Sequence, residues 1–381
     1  MPQAALASRS SRATVEPVAA LAGDAAGWDA LAVRAAEPHP FYARHTIEAH
    51  RAHGLCGPRL SAVVVREDGA AAALLPFVLR PDIAGLGAAL AQPFLSPYVT
   101  ATAPLVADGP GLEVRLDALV EGLARASGGR PWRWPLLASE SRIGVGLLAA
   151  MGRAGWQVGT VAGFERPVLD RRADYDAFLA GHPHRSRLKD LRRRRRRLEE
   201  AGTVTVESAT EGAALERALD AFLTLEAAGW KGAAGTALRS RPQTERFARA
   251  LFRPEAGPVS VRADLLRLDG RTVAASLALI GGRTAHLLKT AYDEGLHAQA
   301  PGLVLEDAIV RAVHAEGFAD RLDAATMPGS ALESLYPERE TIREIVAVPP
   351  GAGLISLERR LRLARFEHRA RAEAKRLLGR S

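Results

Sequence analysis

The chain has a single cysteine, Cys56, in 381 residues. That excludes an internal disulfide and suits a reducing compartment. Cys56 has no motif around it and reads as a small packed apolar residue rather than a nucleophile. No apolar run approaches the length of a membrane span. Residues 1–12 hold Arg9 and Arg12 but no hydrophobic stretch behind them. They do not make a standard secretory signal, and the cytoplasm is the expected location. Residues 1–13 read as a flexible tail. A Walker loop and a G-x-G-x-x-G dinucleotide fingerprint are both missing, and Gly144-Val145-Gly146 falls inside a helical run. His182 and His184 have no Cys or His near them at zinc spacing, so no metal is expected.

Charge is present but concentrated. Residues 185–197 contain nine basic side chains against one acid, Asp190, which accounts for the whole net charge of +8. The segment holds no aromatic residue to stack on bases. At 48% hydrophobic, a chain of this length buries a large core and predicts two domains.

In chain order, Pro38 and Pro40 mark a loop before a helical stretch at 41–54. Residues 61–66 and 73–79 read as a hairpin turning at Asp68-Gly69. Pro110-Gly111-Leu112 opens a helical run to 125. Residues 131–137 read as a strand and 141–153 as a helix ending near Gly155. The second half repeats this order. Residues 259–267 and 272–280 form a hairpin at Asp269-Gly270. A further strand follows, then a helix from Pro301-Gly302-Leu303, then a strand at 322–325. The pattern predicts two copies of one α/β unit. The expected bounds are a first unit at 14–165, a second at 166–350, and a terminal strand with a basic helix at 351–381. Between the copies, helices are expected around 175–179, 182–200 and 213–228, with a strand at 203–207.

Residues 286–313 organise the second copy. An apolar strand ends at Thr290-Ala291-Tyr292, and Asp293-Glu294-Gly295 breaks it. Gln299-Ala300-Pro301-Gly302 then leads into a helix. Pro301 and Gly302 leave backbone N–H groups with little side-chain bulk above them, a natural seat for a phosphate.

This Q-x-x-G strand-to-helix junction resembles the acyl-CoA pyrophosphate loop of the GNAT N-acetyltransferase superfamily, with Val304 where a second small residue is usual. Three pieces together are similar to the CelD-like acetyltransferases associated with cellulose biosynthesis: the arginine helix at 186–202, Leu225-Glu226-Ala227-Ala228-Gly229-Trp230-Lys231-Gly232, and Leu288-Lys289-Thr290-Ala291-Tyr292-Asp293-Glu294 closed by Pro301-Gly302-Leu303. That branch is related in shape to Fem-type aminoacyltransferases, which carry two GNAT units. The resemblance implies an α/β (α+β) fold of two tandem GNAT-like units, each a mixed sheet flanked by helices. It implies acetyl-CoA or another acyl-CoA as co-substrate. The acceptor is an amine on a sugar, an amino acid or an envelope precursor, in exopolysaccharide or cell-envelope metabolism. Carried onto this sequence, Lys289, Thr290, Gln299, Pro301, Gly302 and Leu303 hold the donor.

Acyl transfer to nitrogen requires a neutral amine, so a base must accept a proton. Asp293 and Glu226 are the candidates. Lys231 can hold a phosphate, an acidic substrate or a carbonyl oxygen. Tyr336 stands where the resemblance implies an acid for the departing thiolate. Trp230 is expected to anchor its helix. Leu188, Leu191 and Leu198 form one stripe of the arginine helix, and Arg195 falls among them. Its guanidinium is expected to point inward, to a carboxylate with Glu226 first, or to the CoA phosphates. Two other readings stay open. One is a Fem-like enzyme taking its aminoacyl group from charged tRNA. The other is a binding module docking the arginine helix and the basic C-terminal helix on an anionic partner: nucleic acid, a membrane surface or a synthase complex.

Overall fold

The structure is a computed structural model and describes residues 11–253, 257–353 and 355–377. In chain order the elements are β1 (Arg12–Pro17), α1 (Ala25–Arg34), α2 (Arg44–Ala52), β2 (Ser61–Glu67), β3 (Ala70–Pro81), β4 (Ala89–Pro93), β5 (Leu105–Val106), α3 (Leu112–Ser127), β6 (Trp132–Ala138), α4 (Arg142–Arg153) and β7 (Gln157–Asp170). There follow α5 (Tyr175–Gly181), α6 (Arg185–Ala201), β8 (Val204–Ala209), α7 (Gly212–Ala228), α8 (Trp230–Ala233) and α9 (Pro242–Leu251). The chain ends with β9 (Val259–Leu268), β10 (Arg271–Gly281), β11 (Thr284–Tyr292), α10 (Pro301–Glu316), β12 (Arg321–Asp323), β13 (Glu338–Val348) and α11 (Leu357–Leu377).

Two turns set the plan. Asp68-Gly69 and Asp269-Gly270 all take positive φ, at 52°, 83°, 50° and 79°. Paired left-handed residues make the two-residue turn whose twist matches a hairpin. Glu67 therefore faces Ala70 and Leu268 faces Arg271 across the two turns. Each hairpin is extended by a third antiparallel strand, β4 on β3 and β11 on β10. A helix then crosses over to a parallel neighbour: α3 leads to β6 beside β4, and α10 leads to β12 beside β11. The expected repeat is thus realised as two tandem sets of mixed strands of one topology, each flanked by helices.

The chain divides into two units, Met1–Arg44, Gly57–Phe164 and Thr341–Ser381 in the first, His45–Cys56 and Glu165–Glu340 in the second. In the first, the strands run β1-β2-β3-β4-β6-β13. Helix α3 lies close on this sheet because Gly122 has no side chain; an added Cβ would meet Val63 Cγ1 at 2.5 Å. The expected tail is shorter than residues 1–13. Residues 1–10 lie outside the described residues, but Arg12 already faces Arg66, in β1, which covers the edge of β2. The expected terminal strand lies earlier too. Pro349-Pro350-Gly351 cannot continue a ladder, and the strand is β13, which ends at Val348 and faces β6 from Ile342↔Ala138.

In the second unit the order is β7-β12-β11-β10-β9-β8. Alternation gives β10 two buried faces. Ala274, Ala278 and Ile280 join a core with Val304, Leu305, Ile309 and Val313 of α10 and Leu188, Leu191 and Leu198 of α6. Helix α7 covers β9, β10 and β11 with Leu215, Leu219, Phe222 and Leu223. Among the described residues no helix is long and apolar enough to cross a membrane.

Candidate functional site

The site begins where two strands part. β11 and β12 pair over only three residues, from Thr284↔Arg321 to His286↔Asp323. β12 then stops, and the chain turns at Ala325 with φ 52°. β11 continues to Tyr292, paired with β10 alone. The gap is a cleft of about 330 Å³ whose walls include Thr290, Tyr292, Gly302, Leu303, Glu306 and Leu332.

A bulge decides which side chains face it. Lys289 pairs with Leu277 but Leu287 pairs with Ala278, so Leu288 is an extra residue in β11. An inserted residue reverses the alternation beyond it. Ala285 and Leu287 face the core under α10. Without the bulge Lys289 would follow them. With it, Thr290 and Tyr292 take the cleft side, and the Tyr292 ring lies 3.2 Å from where a Cβ on Gly302 would stand. Lys289 turns into the fields of Lys231 and Glu226. Burial, then the Lys231 ammonium, lowers its pKa from the ordinary lysine value.

Helix α10 opens at the cleft mouth. Its N-cap, Ala300, is left-handed at φ 47° and offers no side-chain cap; Pro301 takes the first turn, which holds no acid. The amides of that turn lack intrahelical acceptors, and Gly302 leaves them uncovered. Gln299 and Pro301 shape this loop without lining the cleft. The arginine that reaches it is Arg194, whose Nη1 donates to the Ala298 carbonyl at 3.1 Å and whose Nε donates to Asp190 at 2.7 Å. Arg195 does not point inward as its place among the leucines predicts. It is 36% exposed and pairs with Glu199 at 2.9 Å, one turn along its own helix. The long side chain leaves the apolar stripe for solvent.

Glu226 has a different partner. It is 3% exposed, accepts from Lys231 Nζ at 3.0 Å through one oxygen, and accepts from the Leu238 amide at 2.8 Å through the other. Lys231 also donates to the Thr290 carbonyl at 3.4 Å, which ties α8 to β11. Glu226, Trp230, Lys231, Thr290, Tyr292 and Glu294 surround a shallow hollow that shares Thr290 and Tyr292 with the larger cleft. Trp230 is no anchor. It stands 59% exposed at the rim, its amide held by Glu294 at 2.8 Å. Asp293 closes the end of β11, accepting from the Gly295 amide at 2.9 Å and from Arg271 at 2.5 Å.

Tyr336 lies behind the cleft wall. It is fully buried and its hydroxyl donates to Glu306. Burial, then the Glu306 carboxylate, pushes the phenol well above its ordinary pKa. Glu306 itself faces the cleft, and burial pushes its carboxyl up to about 7 against the lowering effect of the Tyr336 bond. Sequence reasoning missed Glu306. Its signal is a carboxyl inside an apolar helix, one turn after Gly302. Among the described residues no three His, Cys, Asp or Glu stand together as a metal site.

Parallel strands that part beside a cleft, with an uncapped glycine helix start at its mouth, make a GNAT-like fold. Residues 185–329 match the family model of an acetyltransferase (GNAT) domain. The chain resembles the C-terminal domain of a protein described as a lysylphosphatidylglycerol synthetase from Agrobacterium fabrum at TM-score 0.54, with 14% identity over 91% of this chain and 96% of that one. It resembles FemX at TM-score 0.53, with 13% identity over 85% and 96% of the two chains. A conserved protein of unknown function from Bacteroides thetaiotaomicron gives TM-score 0.53, with 12% identity over 86% and 96%. At these identities the likeness is one of fold. No curated protein matches the chain in sequence.

Proposed function

We propose that the second unit is an acyl-CoA-dependent N-acyltransferase. The observation that carries this reading is the cleft between the end of β11, the start of α10 and the segment after β12, with Gly302 at its mouth. The amides of Gly302 and Leu303 suit a pyrophosphate, and the gap suits the pantetheine arm laid along β11. Beyond His286, β11 has no partner on the β12 side, and its backbone there offers a place for the thioester carbonyl. The acceptor amine enters by the hollow beside Glu226 and Lys231 and meets the thioester at Thr290. Its nitrogen attacks the carbonyl carbon, the C–N bond forms and the C–S bond breaks.

Two carboxylates compete in the sequence for the role of base, but both are committed. Asp293 holds Arg271, and Glu226 holds Lys231 and the Leu238 amide. We assign the amine's proton to solvent entering by the hollow. Lys231 then orients the acceptor, with Glu226 fixing Lys231. In the setting of the CelD-like branch, the acceptor is an amine on an exopolysaccharide or envelope precursor, modified in the cytoplasm.

Thermal melting of the full chain with acetyl-CoA tests the reading. A ligand bound only by the folded state at one hundred times its Kd adds about 2.7 kcal/mol, so the midpoint rises. If acetyl-CoA, longer acyl-CoAs and free CoA all leave it unmoved, the donor is not a CoA thioester and charged tRNA takes its place.

A further inference from the structure

The departing sulfur of a thioester leaves as a thiolate unless an acid meets it. The sequence points to Tyr336, but Tyr336 has no exposed surface. Of the two groups, Glu306 is the one that lines the cleft. The remaining titratable groups on the cleft wall are His297 and Tyr292. His297 is exposed and lies in the loop before Ala300, and Tyr292 lies against Gly302, where the phosphates belong. Glu306 stands one helical turn further in.

We propose that Glu306 is the catalytic acid for the departing CoA thiolate, and that Tyr336 is a positioning residue behind it. This rests on the acyl-CoA reading above. Tyr336 donates to Oε1, which leaves Oε2 to carry the proton towards the cleft. As the C–S bond breaks, the sulfur takes the Oε2 proton and Glu306 becomes a carboxylate; the amine's proton goes to solvent. After the products leave, Glu306 regains a proton from solvent. Burial favours the protonated acid, and Asp264 on β9 and Asp307 on α10 reinforce it, while Tyr336 opposes it.

The test needs no acceptor. Free CoA is bound to the full chain, and the thiolate absorbance near the ultraviolet edge is titrated with pH in the unmodified protein and in Glu306→Gln. A carboxylate facing the sulfur raises the bound thiol's pKa, by about 1 unit or more for close like charges. The bound thiol is therefore expected to titrate higher in the unmodified protein than in Glu306→Gln, with Tyr336→Phe between them. Equal values in the unmodified protein and Glu306→Gln overturn the proposal. If Glu306→Gln does not fold, the unmodified protein answers alone: a bound thiol no less acidic than free CoA refutes the assignment, and one that titrates higher supports it. Failure of every protein to bind CoA instead overturns the acyl-CoA reading and the proposal with it.

Discussion

Lys231→Met tests the claim that Glu226 is a structural partner rather than a base. In the native chain Glu226 is 3% exposed and keeps two donors, Lys231 Nζ at 3.0 Å and the Leu238 amide at 2.8 Å. The substitution keeps most of the stem and removes the ammonium, so the carboxylate stays buried with one backbone donor. Breaking a buried pair from one side costs about 3–5 kcal/mol. The Lys231 side chain is 25% exposed, so water replaces part of the lost interaction. The expected cost is about 2 kcal/mol. In a unit of this size that lowers the melting midpoint by roughly 4–8 °C. Glu226→Gln keeps an acceptor for the Leu238 amide and removes the orphaned charge. The double variant Glu226→Gln/Lys231→Met is therefore expected to recover about 1 kcal/mol or more over Lys231→Met alone. Urea unfolding of the four proteins reads the cycle. A Lys231→Met cost below about 0.5 kcal/mol, or strict additivity in the double variant, refutes the reasoning.

Two further outcomes follow from the same geometry. Glu306 keeps its proton up to about pH 7 when folded, whereas an unfolded glutamate loses it near 4.3. The unfolded chain thus binds fewer protons between these values, and the native protein loses stability as pH rises through that window. Glu306→Gln removes this term, so its unfolding free energy relative to the unmodified protein is expected to improve from pH 5 to pH 8, by an amount on the order of 1–3 kcal/mol; a constant difference contradicts it. Arg192, Arg196 and Arg197 are exposed and have no ion pair among the described residues. Replacing all three by Gln is expected to change unfolding free energy by less than about 0.5 kcal/mol per site, and a larger loss shows that this face is packed or paired.

The sequence displays the repeat because its signals are local. Asp-Gly demands two left-handed residues and Pro-Gly opens a helix, so both hairpins and both crossover helices are legible. β7 and β13 are not. β7 contains Gly159, Gly163 and Pro167, and β13 begins Glu338-Arg339-Glu340. Their strand state comes from partners far away in the chain, such as Asp323 for Val168 and Ala138 for Ile342. The site divides in the same way. Tyr292 ends β11 and Gly302 lies in the first turn of α10, as the local signals predict. The bulge at Leu288 has no signature in an apolar run, yet it turns Lys289 away from the α10 face. Periodicity places Arg195 with the leucines, but a long side chain is not bound to the direction of its Cβ. Arg194, four residues after Asp190, makes the contact with the loop.

The central claim is that one of two similar units seats the donor, at a named helix start. Calorimetric titration of acetyl-CoA into the unmodified chain, Gly302→Glu and Gly111→Glu tests it most directly. Gly111 is the N-cap of α3, the crossover helix of the first unit, so its variant places a carboxylate at that helix start. The account predicts one site per chain, kept in Gly111→Glu and lost in Gly302→Glu, because a carboxylate at the Gly302 amides repels a phosphate. Binding that survives in Gly302→Glu, or that vanishes only in Gly111→Glu, contradicts it.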